Sequence, residues 1–358
     1  MAHGIEINEW GIINDQKVYL YTFTNKNGTK ASFSNIGAAI QSVFVKGKNK
    51  VFEDVVLGYD TASAYADDPF YIGTVVGRYA NRIAGGEVEI EGKTYQLTLN
   101  GNGFHHHGGK EGFNKKAWHA VPFQKKEGKG VVFSLLSPDG EEGFPGNLQV
   151  KIRYTLTDSD EIIVDFWAET DQSTPINLTQ HVYFNLGGQN NGSILDHDLM
   201  INAEHYLPVN DKIVPTGQLA DVGCTPFDFR QSKTIGRDIG IDNGQLNLGA
   251  GYDHSWVLKP HRSDELKLAA KVIENKSGRV LTVYTTEPAV HLYTGNFLEA
   301  SVPGKDNKSY QPRDGFCLET QNYPDAPNHP HFPGTILPKG EIFESKTIFE
   351  FGLLPKYL

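Results

Sequence analysis

The sequence predicts an all-β protein built as one large antiparallel domain, and three observations carry that reading. Hydrophobicity alternates with a period of two along segment after segment, no stretch sustains the 3.6-residue period of a long helix, and strand-like runs come in pairs separated by short turn-forming clusters. The runs VYLYTFT (18–24), LQVKIRYTLT (148–157), EIIVDFWAET (161–170), RVLTVYTT (279–286) and KTIFEF (346–351) are rich in β-branched and aromatic residues. Three hairpins follow: 87–90 with 94–99 across Glu91-Gly92-Lys93, 148–157 with 161–170 across Asp158-Ser159-Asp160, and 266–273 with 279–286 across 275–278. Helix is confined to a turn or two at 61–66 and 232–239. Strands do not alternate with long helices, so a doubly wound parallel sheet is excluded. No composition shift marks a linker, and the chain is expected to form a single domain over 1–358.

Composition narrows the function. The 358 residues carry 33 Lys and Arg against 43 Asp and Glu, a net charge of −10, which disfavours a polyanionic partner such as nucleic acid. The two cysteines, Cys224 and Cys317, stand outside any CxxC, so a disulfide framework, a zinc ribbon and an iron–sulfur cluster are excluded. No apolar run is long enough to span a membrane, and residues 1–6 show no basic stretch leading into an apolar one; the expectation is a cytoplasmic protein.

Two segments do not read as scaffold. NGNGFHHHGG (100–109) sets three histidines in a glycine-rich turn, and TQNYPDAPNHPHFPGTILPKG (320–340) carries five prolines after a strand-like GFCLE. Proline excludes a central strand and stiffens a long loop, and such loops on a β scaffold are where binding groups collect.

Cofactor signatures are missing. Gly86 with Gly92-Lys93-Thr94 is spaced one residue too wide for a phosphate loop and falls in a hairpin, and no GxGxxG opens a helix. On a strand, His105 and His107 would share a face, as two imidazole metal ligands do. No HExxH accompanies them, though, and His181, His254 and His291 lack close ligand spacing, so neither a metal nor another cofactor is expected. His105 and His106 read as loop polarity. Asn81-Arg82, His181, Asp253 and Glu319 each stand at an apolar run, where a lone ionisable group is costly unless paired or functional. Together with Tyr, Phe and Trp they suit a polyhydroxylated ligand, with Glu319 and His181 as an acid–base pair. No nucleophile elbow is present.

At these residues the chain closely resembles the aldose 1-epimerase (galactose mutarotase) family. The resemblance runs nearly end to end and rests on GRYANRIAGG (77–86), HGG (107–109), HVYFNLGG (181–188), YDHSWVL (252–258), EPAVHLYTGNF (287–297) and CLETQNYPDAPN (317–328). It implies a large antiparallel β-sandwich, a supersandwich with few short helices, and a cofactor-free isomerase that interconverts the α and β anomers of free hexoses such as galactose and glucose. By the same resemblance Glu319 is the general base, His181 the general acid and His107 a supporting histidine. Arg82, Asn81, Asp253 and His291 are implied to bind the sugar, in a monomer or homodimer. Two positions depart from the family pattern: Gln180 stands where Asn is common, and His291 where Gln is common. Rival readings are a hexose-6-phosphate epimerase using Arg78 or Lys305 for the phosphate, a glycosidase using Asp253 and Glu319, and a non-catalytic sugar-binding protein on the same fold.

Overall fold

The structure, a computed structural model, describes residues 4–259, 265–299 and 302–355; the opening residues 1–3 read above lie outside them. Three antiparallel sheets dominate. A five-stranded meander runs in chain order from Ile5–Ile13 through Gln16–Thr24, Lys30–Ser34 and Ala39–Lys46 to Phe52–Asp54. A nine-stranded sheet is built around Leu148–Leu156, Glu161–Thr170, Ile342–Leu353 and Arg279–Thr285 as neighbours. A six-stranded sheet has the order Tyr183–Phe184, Phe316–Gln321, Ala289–Tyr293, Asp253–Leu258, Ala203–Leu207 and Ala220–Asp221.

The two-residue period places the site. In Phe316–Gln321 the side chains of Phe316 and Leu318 point one way and those of Cys317 and Glu319 the other. Leu318, Val290, Leu292 and Trp256 share one buried cluster with Val164, Phe166, Val283 and Phe349 of the nine-stranded sheet. The inner faces of the two sheets therefore form the core, as in a β-sandwich. Register then aligns the opposite face: Ser255 lies opposite His291, and His291 opposite Glu319, across three adjacent strands. One polar row crosses a sheet whose other face is apolar.

The expected hairpins form, with one change. Lys93–Gln96 pairs with Glu87–Ile90 across only two residues, Glu91 (φ 53°) and Gly92 (φ 76°), the doubly left-handed turn that matches strand twist. Lys93 therefore belongs to the strand rather than the turn. The helix Ala62–Ala66 occurs where expected, with Thr61 accepting from the Ala64 amide as its N-cap. The helix expected over 232–239 is a correction. Lys233–Thr234 instead adds an edge strand, with the Lys233 ammonium turned inward to the Pro226 carbonyl and Asp238, and only the single 3-10 turn Ile235–Arg237 follows. A short helix appears later, at Gly244–Gly249, capped by the Asn243 side chain. Among the described residues no helix is long and apolar enough to cross a membrane.

The two unusual segments cover the polar row. Phe104–His106 pairs with Arg82–Ala84, and the proline-rich segment grips that same strand: the Asp325 amide donates to the Arg82 carbonyl at 2.8 Å, and Asp325 Oδ1 accepts from the Ala84 amide at 2.9 Å. Tyr323, Ala326 and Phe332 anchor the segment against Leu207 and Ala289. Its stiffness thus serves to hold Arg82 over the sheet.

Candidate active site

The cleft between the polar row and its covering loops has a volume of about 240 Å³ and is lined by Asn81, Arg82, His107, His181, Asp253, His291 and Glu319 together with aromatic rings. All seven residues implied by the sequence converge on it. Its size is below the roughly 300–1,000 Å³ usual for drug-sized ligands and suits a single sugar ring.

His181 and Glu319 face each other, with Nε2 of the imidazole 3.6 Å from Oε1 of the carboxylate. Both side chains are almost wholly buried, and Glu319 Oε2 has no hydrogen-bond partner. The amide of His181 donates to the Thr74 carbonyl, and its Nδ1 lies 3.6 Å from Cys317 Sγ. Gln180 points the other way, its Nε2 donating to the Gly73 carbonyl and the Tyr154 hydroxyl. The departure from Asn at that position is therefore accommodated in the core, behind the cleft.

His107 is held in the left-handed region (φ 49°) with its Nδ1 accepting from the Asn81 amide. Gly108 follows at φ 84°, where an added Cβ would meet the Gly77 carbonyl at 1.8 Å, so only glycine allows the chain to turn away here. Burial, reinforced by His106, His181 and Arg82, pushes the His107 imidazole well below its usual pKa. It is neutral, with Nδ1 accepting, so its proton is on Nε2.

Asp253 is buried, which alone would raise its carboxyl; the hydrogen bond from His291 and the charge of Arg82 outweigh this and hold it well below the usual carboxylate range. His291 Nε2 lies 2.7 Å from Asp253 Oδ1, and Arg82 Nη2 lies 3.9 Å from Oδ2. Arg82 Nε is buried without a hydrogen-bond partner.

His105 and His107 do not form the ligand pair that strand alternation suggested. His105 bonds the Thr98 carbonyl and packs on Phe144, while the backbone turns at His107. Among the described residues the one cluster with metal-like spacing is His107, His181 and Glu319, whose ligand atoms lie within 4.8 Å of one another. A metal there would need Nε2 of His107, the atom that carries the proton while Nδ1 accepts the Asn81 amide. The donor set is tuned for hydrogen bonding rather than coordination.

The phosphate-epimerase reading loses its residues. Arg78 is buried, donating to the carbonyls of Pro145, Gly146 and Ser137, and Lys305 is buried against Asp54 and the carbonyls of Gln41 and Val56. Neither is free for a phosphate. Asp253, held well below the usual carboxylate range, is not the acid of a glycosidase pair.

Sequence reasoning missed part of the wall. His106, read as loop polarity, lines the cleft and its ring centroid lies 3.8 Å from that of His107. Tyr71, at φ 57°, places its ring 4.6 Å from His107 and 5.9 Å from His181, and burial pushes its phenol up to about 12, so it remains a hydroxyl donor. Phe70, Tyr183, Tyr293 and Phe297 complete the apolar lining. Strand register sets Tyr183 and Tyr293 on either side of Cys317, which the sequence alone does not give, and nothing local marks Tyr71.

A family model described as aldose 1-epimerase matches residues 19–350. The chain belongs to the aldose 1-epimerase family. Its relatives within the family include the galactose mutarotases of Bos taurus and Homo sapiens, each 44% identical over 317 residues, spanning 88% of this chain and 89% of theirs. The aldose 1-epimerase of Escherichia coli K12 is 36% identical over 338 residues, 94% of this chain and 96% of its own. The solved galactose 1-epimerase of Lactobacillus acidophilus superposes with a TM-score of 0.86 at 29% identity, covering 98% of both chains. An aldose epimerase homologue from C. elegans gives 0.85 at 29%, covering 94% of this chain and 99% of that one. The mostly β, mutarotase-like architecture read from the sequence is thus the architecture of the family.

Proposed function

We propose that this chain is an isomerase that interconverts the α and β anomers of free aldohexoses such as galactose and glucose, by opening and closing the ring. Family membership supports the reaction class, and relatives named galactose mutarotase support the sugar. The observation that carries the residue roles is the 3.6 Å approach of His181 Nε2 to Glu319 Oε1 in a cleft where Glu319 Oε2 has no partner.

In this reading the Glu319 carboxylate takes the proton of the C1 hydroxyl. The O1 electrons form the C1 carbonyl, the bond from C1 to the ring oxygen breaks, and the ring oxygen takes a proton from the imidazolium of His181. Rotation about C1–C2 exposes the other face of the aldehyde. His181 then recovers its proton from the hydroxyl as that oxygen attacks C1, and Glu319 returns its proton to O1. His107 Nε2–H donates near the reacting atoms. Arg82 and Asp253 meet sugar hydroxyls as donor and acceptor, and the aromatic lining covers the C–H surface. General acid and general base catalysis are each worth about 10²–10⁴, roughly 3–5 kcal/mol of barrier, and because the two proton transfers act as a unit the contributions do not simply add. Sugars already mutarotate in water, so no metal or covalent intermediate is needed. The same reading takes the chain as one domain, supported by a core cluster that draws Phe33, Phe166 and Trp256 from all three sheets.

Polarimetry of freshly dissolved α-D-galactose, α-D-glucose and glucose 6-phosphate tests this reading. Acceleration with a free hexose and little with the phosphate is expected. No acceleration by folded protein with either free sugar would overturn it.

A further inference from the structure

Four side chains on the floor of the cleft close into a ring of fixed hydrogen-bond direction. Asn81 Oδ1 accepts from the Arg82 amide at 3.0 Å and from Arg82 Nη1 at 3.4 Å, which leaves Nδ2 pointing at Nδ1 of His291, 3.5 Å away. His291 Nε2 lies 2.7 Å from Asp253 Oδ1, and Arg82 Nη2 approaches Asp253 Oδ2 at 3.9 Å. A carboxylate only accepts, so Nε2 of His291 carries a proton and donates it to Asp253. Nδ1 then accepts, and two donors face it: Asn81 Nδ2 and the Ser255 hydroxyl at 2.9 Å. Ser255 is held in place by strand register, directly opposite His291 on the same face.

An imidazole has two hydrogen-bonding atoms, and both are engaged here. His291 lines the cleft, yet neither nitrogen is left for a sugar hydroxyl. Asp253 has one oxygen fixed by His291 and the other turned toward Arg82, its orientation set on both sides. An ionised carboxylate at this depth is costly unless paired and hydrogen-bonded, and His291 is the partner closest to it.

We propose that His291 is a positioning residue: it aims Asp253 at the substrate and contacts no substrate atom itself. The proposal rests on the sugar reading of the cleft and adds to it. It differs from the role implied by resemblance, in which the residue at this position binds sugar. Aim and affinity then depend on the donor at Nε2, whereas the bond to Ser255 only braces the ring. Uniform binding contributed by Asp253 appears in KM rather than kcat.

Two substitutions separate the bonds. Gln reaches the position of Nε2 and keeps a donor for Asp253; Asn reaches only toward Ser255. With α-D-galactose, His291→Gln is expected to raise KM by less than threefold and His291→Asn by tenfold or more, each with kcat lowered less than threefold. In an Asp253→Asn background, His291→Asn is expected to add nothing further, because its effect passes through the missing carboxylate. A merely structural role would lower the melting temperature and the active fraction, and so kcat, in all backgrounds alike. A fivefold or larger rise in KM on adding His291→Asn to Asp253→Asn, or a His291→Gln variant as impaired as His291→Asn, would overturn the proposal. Wild type that fails to accelerate mutarotation would overturn the sugar reading itself, a distinguishable result.

Discussion

The amide of Asn81 donates to Nδ1 of His107 at 3.1 Å, and the amide of His107 donates back to the carbonyl of Asn81, also at 3.1 Å. Both residues hold left-handed backbone conformations, φ 65° and 49°, so the reciprocal pair depends on two local bends that occur together. Its consequence is chemical. A ring whose Nδ1 accepts a backbone amide presents Nε2–H to the cleft, a donor whose direction does not depend on the substrate.

The tautomer of His107 is therefore directly measurable. Nitrogen-15 NMR of the free protein at pH 7 is expected to show His107 neutral, with its proton on Nε2. His107→Leu is expected to lower kcat/KM by about 10²–10³, the usual scale for losing one preorganised donor to a developing charge. A charged His107 at pH 7, or an Nδ1–H tautomer, contradicts this account of the pair.

Stability against acid follows from the buried histidines. His107 is held well below its usual pKa by burial, and burial brings His197 down to about 4 and His254 to about 3. Each binds its proton first in the unfolded chain, near pH 6.5, so stability is full above that value and falls as pH drops toward the folded pKa. The slope is about 1.4 kcal/mol per pH unit for each group, up to about 4 for the three together. Urea unfolding at pH 6.5, 5.5 and 4.5 measures it; a flat profile would show these rings protonated in the fold.

Glu287 titrates with the opposite sign. Burial raises its carboxyl to about 7 from 4.5, so the folded chain holds that proton where the unfolded chain has lost it. Stability from this group is present below pH 4.5 and lost as pH rises to 7. Glu287→Gln is expected to stabilise the protein by about 3 kcal/mol at pH 8 and by little at pH 4.5. Equal effects at both values would mean the carboxylate is paired in the fold.

Arg78 and Lys305 read in the sequence as cations available to a phosphate, and in the fold they are internal struts. Lys305→Met leaves Asp54 with only the Val43 and Val56 amides and is expected to cost about 3 kcal/mol of stability. The mutarotation rate of the remaining folded protein should be unaffected for free hexose, as read by chemical denaturation alongside polarimetry.

Much of this was legible in the sequence because β-strands alternate with period two. Once Phe316–Gln321, Ala289–Tyr293 and Asp253–Leu258 are recognised as strands, Glu319, His291 and Asp253 must face away from Leu318, Val290 and Trp256. Register was not legible, and register is what puts both nitrogens of His291 to use and places Tyr183 and Tyr293 beside His181. Left-handed residues were invisible for a related reason. Asn81, His107 and Tyr71 are not glycine, and their conformations are imposed by tertiary bonds that no local pattern announces. His106 was misjudged because it read as loop polarity, whereas the turn of the backbone at His107 packs the two rings together against the cleft.

The central claim is that Glu319 and His181 move the two protons of ring opening. Anomer exchange of galactose, followed by proton NMR of the C1–H signals, should be measured with wild type, Glu319→Gln and His181→Asn, with galactose binding measured separately by calorimetry. The account predicts that kcat falls about 10²–10⁴ in each variant while galactose still binds within a few-fold of wild type, and that the double variant is little worse than either single one. A Glu319→Gln variant that keeps more than a tenth of the wild-type kcat would contradict it.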